Sequence, residues 1–196
     1  LGEHWQDPSV LQRTDFDAGL GGAIATGLWR AADFRAADPG HGGGQAAYFG
    51  TDEQDYDVGH ARGELSLPEV VLPADTDHLE VHFSYFLETE NCFPVDQARV
   101  WLDVRPSGAG EFTEQPVIDN AAGLLDSTGA WQRAAVDMGA FAAGDTVRLR
   151  FAFDSLDGIC NDFEGWHVDD VMLRSVIDRS DEIGRASCRE RVCHRV

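Results

Sequence analysis

Between Leu79 and Leu87 the chain alternates without a break. Leu79, Val81, Phe83, Tyr85 and Leu87 fall on one side, and Glu80, His82, Ser84 and Phe86 on the other. A period of two is the signature of a strand with one face in a core. The pattern recurs where Val100, Leu102 and Val104 alternate with Arg99, Trp101 and Asp103. It recurs again where Val147, Leu149, Phe151 and Phe153 alternate with Arg148, Arg150 and Ala152. Shorter strands are expected at 28–32, 46–50, 62–67, 131–137 and 166–174. No segment carries three turns of amphipathic helix, and Gly- and Pro-containing turns fill the gaps at 39–44, 106–108, 127–129 and 144–145. Eight to ten strands with long connections predict an all-β fold, a two-sheet antiparallel sandwich, and argue against parallel βαβ units. The glycine run at 40–44 lacks the Lys-Ser/Thr ending of a phosphate loop and reads as a flexible connection.

Charge narrows the partners. There are 35 acidic and 15 basic residues, every basic one an Arg, for a net charge of −20. Such a field repels phosphate backbones and anionic membranes, so a nucleic-acid partner is not expected. It favours cations, calcium among them. No apolar run approaches the roughly 20 residues of a membrane span.

The chain does not begin with Met and shows no signal-peptide pattern, so it reads as a piece of a larger secreted or cell-surface protein. Residues 1–14 are expected to be a lead-in, 15–176 the sandwich domain, and 177–196 a non-native or disordered tail. Within the tail, 182–192 matches the translation of a sequencing adapter, which sets aside Cys188, Cys193 and His194 as metal ligands. Two cysteines remain, Cys92 and Cys160, each in a polar loop. That setting favours a disulfide in an extracellular domain, against the alternative of two buried thiols.

The stretch Gly165-Trp166-His167-Val168-Asp169-Asp170-Val171 resembles the closing strand of MAM-like, concanavalin-like jelly-roll domains of bacterial secreted proteins. These domains are found appended to immune inhibitor A-like metallopeptidases and subtilisin-like proteases. Leu28-Trp29-Arg30, Ala47-Tyr48-Phe49-Gly50 and the strand from Phe83 to Glu90 fall in the matching order, and the resemblance spans about 15–175. It implies a jelly roll with a structural calcium where the first and last strands meet. One ligand would be Asp17, in Phe16-Asp17-Ala18-Gly19. Another would come from the pair Asp169 and Asp170, with Asp169 favoured because Asp170 would share the face of Val168. Asp52 or Glu53 would add a further oxygen. The alternative is that these Asp residues serve only as turn and strand-end hydrogen-bond acceptors.

No His-Glu-x-x-His, Gly-x-Ser-x-Gly or laminarinase-type carboxylate pair is present, so this segment is not expected to be an enzyme. Glu88 and Glu90 stand two apart, but with Asp96 they suit a cation or a solvated loop better than acid–base catalysis. A Cys92–Cys160 bridge would draw this group towards Asp157, Asn161 and Asp162, and a solvated acidic rim is the favoured reading. Trp101, flanked on its face by Arg99 and Asp103, is the candidate ligand row, an aromatic ring beside polar groups being what a sugar requires. The alternative is that Trp101 is covered by a loop or by the second sheet. Trp29, Trp131 and Trp166 are expected in the core. The functional expectation is a non-catalytic accessory module for adhesion, glycan binding or protein binding. The second expectation is a non-catalytic part of a secreted protease.

Overall fold

In the computed structural model, residues 9–176 are described, apart from 75, 77, 91, 126 and 128; the expected tail and residues 1–8 lie outside them. Twelve strands run in order: β1 (Ser9–Thr14), β2 (Ile24–Ala25), β3 (Trp29–Ala32), β4 (Ala46–Phe49), β5 (Arg62–Ser66), β6 (Val70–Val71), β7 (His78–Glu88), β8 (Gln97–Arg105), β9 (Thr113–Asp119), β10 (Gln132–Ala140), β11 (Thr146–Asp154) and β12 (Gly165–Val176). The described residues contain no helix, and so none long and apolar enough to cross a membrane.

Two six-stranded antiparallel sheets result. The first runs β10-β7-β12-β4-β3, with β1 also on β12; the second runs β2-β5-β11-β8-β9, with β6 also on β11. The alternating residues explain the two-layer packing. Val81, Phe83, Tyr85 and Leu87 of β7 face Leu149, Phe151 and Phe153 of β11 across one core, all 3% exposed or less. Phe83 meets Phe151 edge-on at 5.3 Å between ring centroids, and Phe49 meets Phe153 at 4.5 Å. Trp29 and Trp166 fill the same layer, 5.5 Å apart. Each such side chain, fully buried, contributes about 1.5–3 kcal/mol of hydrophobic stabilisation.

Strand β12 changes partners along its length. Its first half, Trp166 to Val168, pairs with β4; its second half, Val171 to Ser175, pairs with β1 on the same side. The changeover coincides with a β-bulge, where Asp169 to Met172 oppose Ser84 to His82 of β7. Asp170 sits in that bulge with φ 51°, a left-handed conformation that Asp tolerates better than most residues. Ser9–Thr14, placed by the sequence in a lead-in, is therefore an integral strand of the first sheet.

Trp131 is buried as expected, but apart from the main core. It is buried at 7% exposure on the outer face of the first sheet, where it stacks on His41 at 4.1 Å in a small separate cluster with Ala46 and Phe86.

Candidate functional site

The outer face of the second sheet carries the candidate ligand row. Val100 and Leu102 turn inward, so Trp101 turns outward, and neither sheet covers it. Register places Arg150 of β11 on one side of Trp101 and Pro116 of β9 on the other. The result is a groove of about 640 Å³ lined by Gly27, Glu64, Arg99, Trp101, Glu114 and Arg150 among others. Its β2–β5 wall is built from close backbone contact. A Cβ on Gly27 would lie 2.1 Å from the Arg62 carbonyl oxygen, so only glycine lets the turn after β2 lie against β5 there.

Arg150 organises the groove. Its guanidinium binds Glu64 at 2.6 Å, Glu114 at 2.5 Å and Asp103 at 3.0 Å. Arg148 binds Asp103 from the other side at 2.7 Å. Burial opposes ionisation of Asp103, but hydrogen bonds from Arg150 and Arg148 outweigh it and hold the carboxyl below the usual range. Asp103 is only 2% exposed and does not line the groove. Its expected role as a ligand contact is corrected: it anchors the arginines from beneath. Arg62 and Arg99 also line the groove and make no ion pair among the described residues.

The expected calcium ligands separate into two places. Asp17, Asp169 and Asp170 each adjoin the 41–44 loop, but among the described residues their oxygens do not come within 4.8 Å of one another as a set of three. A Cβ on Gly44 would lie 1.8 Å from Asp17 Oδ1, and one on Gly42 would lie 2.8 Å from Asp170 Oδ1. The loop read as flexible is instead close-packed, and its glycines are required by contact. The fit to a cation is poor at Asp169, the favoured ligand. Its Oδ2 faces His41 Nδ1 at 2.7 Å and its Oδ1 accepts the Asp170 amide at 2.7 Å, so both oxygens are engaged. The bulge also corrects the facing argument, since Asp169 and Asp170 both lie on the outer side while Val168 and Val171 enter the core. Asp52 and Glu53 stand beyond the far end of β4, and Asp52 pairs with Arg30 at 2.6 Å. They do not join the group at Asp169.

A connected polar layer lies under the same loop. Arg35 binds Glu164 through two hydrogen bonds of 2.6 and 2.5 Å, and its guanidinium carbon lies 3.3 Å from the Phe86 ring centre. Glu164 also bonds His167, which stacks on Tyr48 at 4.2 Å. Burial opposes ionisation of Glu164, yet hydrogen bonds from His167 and Arg35 hold its carboxyl at about 2.

Cys92 and Cys160 are free thiols that lie side by side. Their sulfurs and a Glu90 oxygen fall within 4.8 Å of one another. The acidic group beside them is not the solvated rim expected. Glu90 is 3% exposed, Asp96 1% and Asn161 1%; Glu88 and Asp157 are half-buried, and Asp162 is exposed. The hydroxyl of buried Tyr56 donates to Asp96 Oδ2 and accepts the Glu90 amide at 3.2 Å. Burial, with the Glu90 charge nearby, pushes the Asp96 carboxyl up to about 7, against the Tyr56 hydrogen bond.

With this geometry in hand, comparison with solved structures places the architecture. The CBM22-1 xylan-binding domain of Xyn10C from Paenibacillus barcinonensis superposes with a TM-score of 0.54 at 16% identity, covering 87% of this chain and 97% of that domain. An adhesin domain of Lys-gingipain from Porphyromonas gingivalis gives 0.52 at 14%, covering 84% and 98%. The fold is the jelly roll shared by these domains. A CBM22-1–GH10 fragment of a Clostridium thermocellum xylanase, complexed with xylohexaose, gives 0.51 at 11%, covering 86% of this chain and 29% of that one. No protein-family model and no curated protein matches the sequence.

Trp101 and Arg99, singled out in the sequence, do line the groove, but Arg150, Glu64 and Glu114 beside them were not singled out. Their union depends on strand register, which no local pattern reports. His41 and Arg35 were missed because they lie in an irregular loop.

Proposed function

We propose that this domain is a non-catalytic, extracellular polysaccharide-binding module whose glycan lies across the groove on the outer face of the second sheet. The observation that carries this reading is Trp101, an aromatic ring turned outward into a groove beside hydrogen-bonding side chains. A pyranose ring stacks its C–H face on such an indole, while Arg62 and Arg99 donate to its hydroxyls. Glu64 and Glu114 are both tied to Arg150. This is a positioning arrangement, whereas a glycosidase keeps one carboxyl protonated opposite a second. The shared fold of xylan-binding and adhesin domains supports a binding role outside the cell. The closing sequence Gly165 to Val171 supports a MAM-like module appended to a larger secreted protein.

Affinity electrophoresis through gels containing xylan, galactan or a uronate-bearing polysaccharide tests the proposal. Wild type is expected to be retarded in at least one of them. Trp101→Ala is expected to run free while melting within about 2 °C of wild type, since an outward side chain adds little to the core. A wild type retarded by none of them, or a Trp101→Ala variant retarded equally, overturns the groove assignment.

A further inference from the structure

We propose that Glu90, Asp96 and Asn161 form a binding site for a hard divalent cation of the calcium class. The three come from the β7–β8 and β11–β12 connections and are almost wholly buried. Four of their oxygens have no hydrogen-bond partner: both carboxylate oxygens of Glu90, Asp96 Oδ1 and Asn161 Oδ1. Buried acceptors left unpaired at this density are rare, and two of these residues are carboxylates.

The surrounding hydrogen bonds show that the arrangement is built. The Asn161 amide spends its N–H groups on the carbonyls of Gly59 at 2.8 Å and Asp157 at 3.4 Å. That fixes the amide orientation and leaves Oδ1 as the free end. The Asp96 backbone is held by Asn120, whose Nδ2 donates to the Asp96 carbonyl at 2.7 Å. Tyr56 takes one Asp96 oxygen and leaves the other open. Asn161 follows directly on Cys160, whose sulfur adjoins Glu90. The amide donors of Asn161 and Asn120 and the Tyr56 hydroxyl are thus spent in holding the frame, and only the weak thiol donors of Cys92 and Cys160 adjoin Glu90. A proton can neutralise one carboxylate but serves at most two acceptors. A calcium ion takes six to eight oxygens, with Glu commonly bidentate, and so can serve several such acceptors at once. The hard oxygens select calcium, and the two thiols at the edge are soft ligands that it does not use.

The site is separate from Asp17, Asp169 and Asp170, and from the groove at Trp101. The test is a thermal melt of the full 196-residue chain in calcium chloride and in EGTA at constant ionic strength, with calorimetric titration of calcium into the chelated protein. At calcium a hundredfold above its dissociation constant, the melting temperature is expected to rise by roughly 5–10 °C. Glu90→Gln and Asp96→Asn are each expected to abolish this rise. In EGTA each melts at or above wild type, because a buried unpaired charge has been removed, so folding of the variants is not in question. Asp17→Ala is expected to keep the full rise. Coincident wild-type melts with no heat of titration overturn the site. So does a calcium response that survives in both Glu90→Gln and Asp96→Asn, or one that is lost in Asp17→Ala. A response to zinc but not to calcium also overturns it, placing the ion on the thiols.

Discussion

His41 Nδ1 lies 2.7 Å from Asp169 Oδ2, and neither side chain reaches solvent. The other ring nitrogen, Nε2, donates to the Arg35 carbonyl at 2.9 Å. The imidazole therefore ties the loop after β3 to the bulge of β12 through Nδ1, and braces that loop on itself through Nε2. Asp169→Ala is expected to cost about 1–3 kcal/mol, because it removes a buried partner of His41 Nδ1 and leaves the Asp170 amide without its acceptor. Asp169→Asn imitates a protonated carboxyl, with Nδ2 donating to His41 Nδ1, and should cost less. Urea denaturation measures both, and limited proteolysis should cut within residues 33–45 faster in the alanine variant.

The same carboxyl carries a pH signature. Burial lifts the Asp169 carboxyl to about 6, against the hydrogen bond shared with His41 and the one from the Asp170 amide. Its ordinary value is near 4, so the native state holds a proton that the unfolded chain has released. The resulting stabilisation is complete below about 4 and is lost as pH rises through about 6. The stability of wild type relative to Asp169→Asn is therefore expected to be greater at pH 4 than at pH 7. Equal differences at both values would show that the carboxyl titrates normally.

Asp103 has the opposite sign. Its folded carboxyl is depressed by Arg150 and Arg148 despite burial, so its contribution is present above its ordinary value and fades as pH falls through the folded one. Asp103→Ala leaves two arginines against an emptied site and is expected to cost roughly 3–5 kcal/mol near neutral pH. The loss should shrink on acidification. Chemical denaturation at a series of pH values checks the trend, and glycan affinity should fall as well, since Arg150 is released from below.

Glu164→Gln should weaken the layer under the loop in the same direction. The folded carboxyl stands at about 2 against an ordinary 4.5, so its stabilisation is full above 4.5 and disappears towards pH 2. Melts of wild type and variant are expected to differ at pH 6 and to converge near pH 2.

Cys92 and Cys160 are expected to join under oxidising expression. Closing a loop of that length contributes about 4 kcal/mol on a chain-entropy estimate. Peptide mapping without reduction should recover one cross-linked species containing both residues. Two separately alkylated peptides from the oxidised protein would exclude the bridge.

Alternation made β7, β8 and β11 legible before any coordinates, and with them the core and the outward turn of Trp101. It failed where the period broke. In β1 a register shift between Val10 and Gln12 hides the pattern, and in β9 Pro116 argues against a strand that only a sheet edge permits. The bulge in β12 defeated the facing of Asp169 and Asp170, because one extra residue inverts every side chain beyond it. Burial of Glu90, Asp96 and Asn161 was invisible for a different reason. Polar residues in loops read as solvated until two distant connections close over them.

Because β1 lies antiparallel to β12, with Ser9 opposite Ser175, the chain enters and leaves the domain at one end of the same sheet. A pulling force applied between those two points does not shear the β1–β12 ladder; it unzips it, loading one hydrogen bond after another. The first strand should peel away at low force while β4 and β7 still hold β12. The module could thus lengthen under tension and recover, with the groove on the opposite sheet left intact throughout.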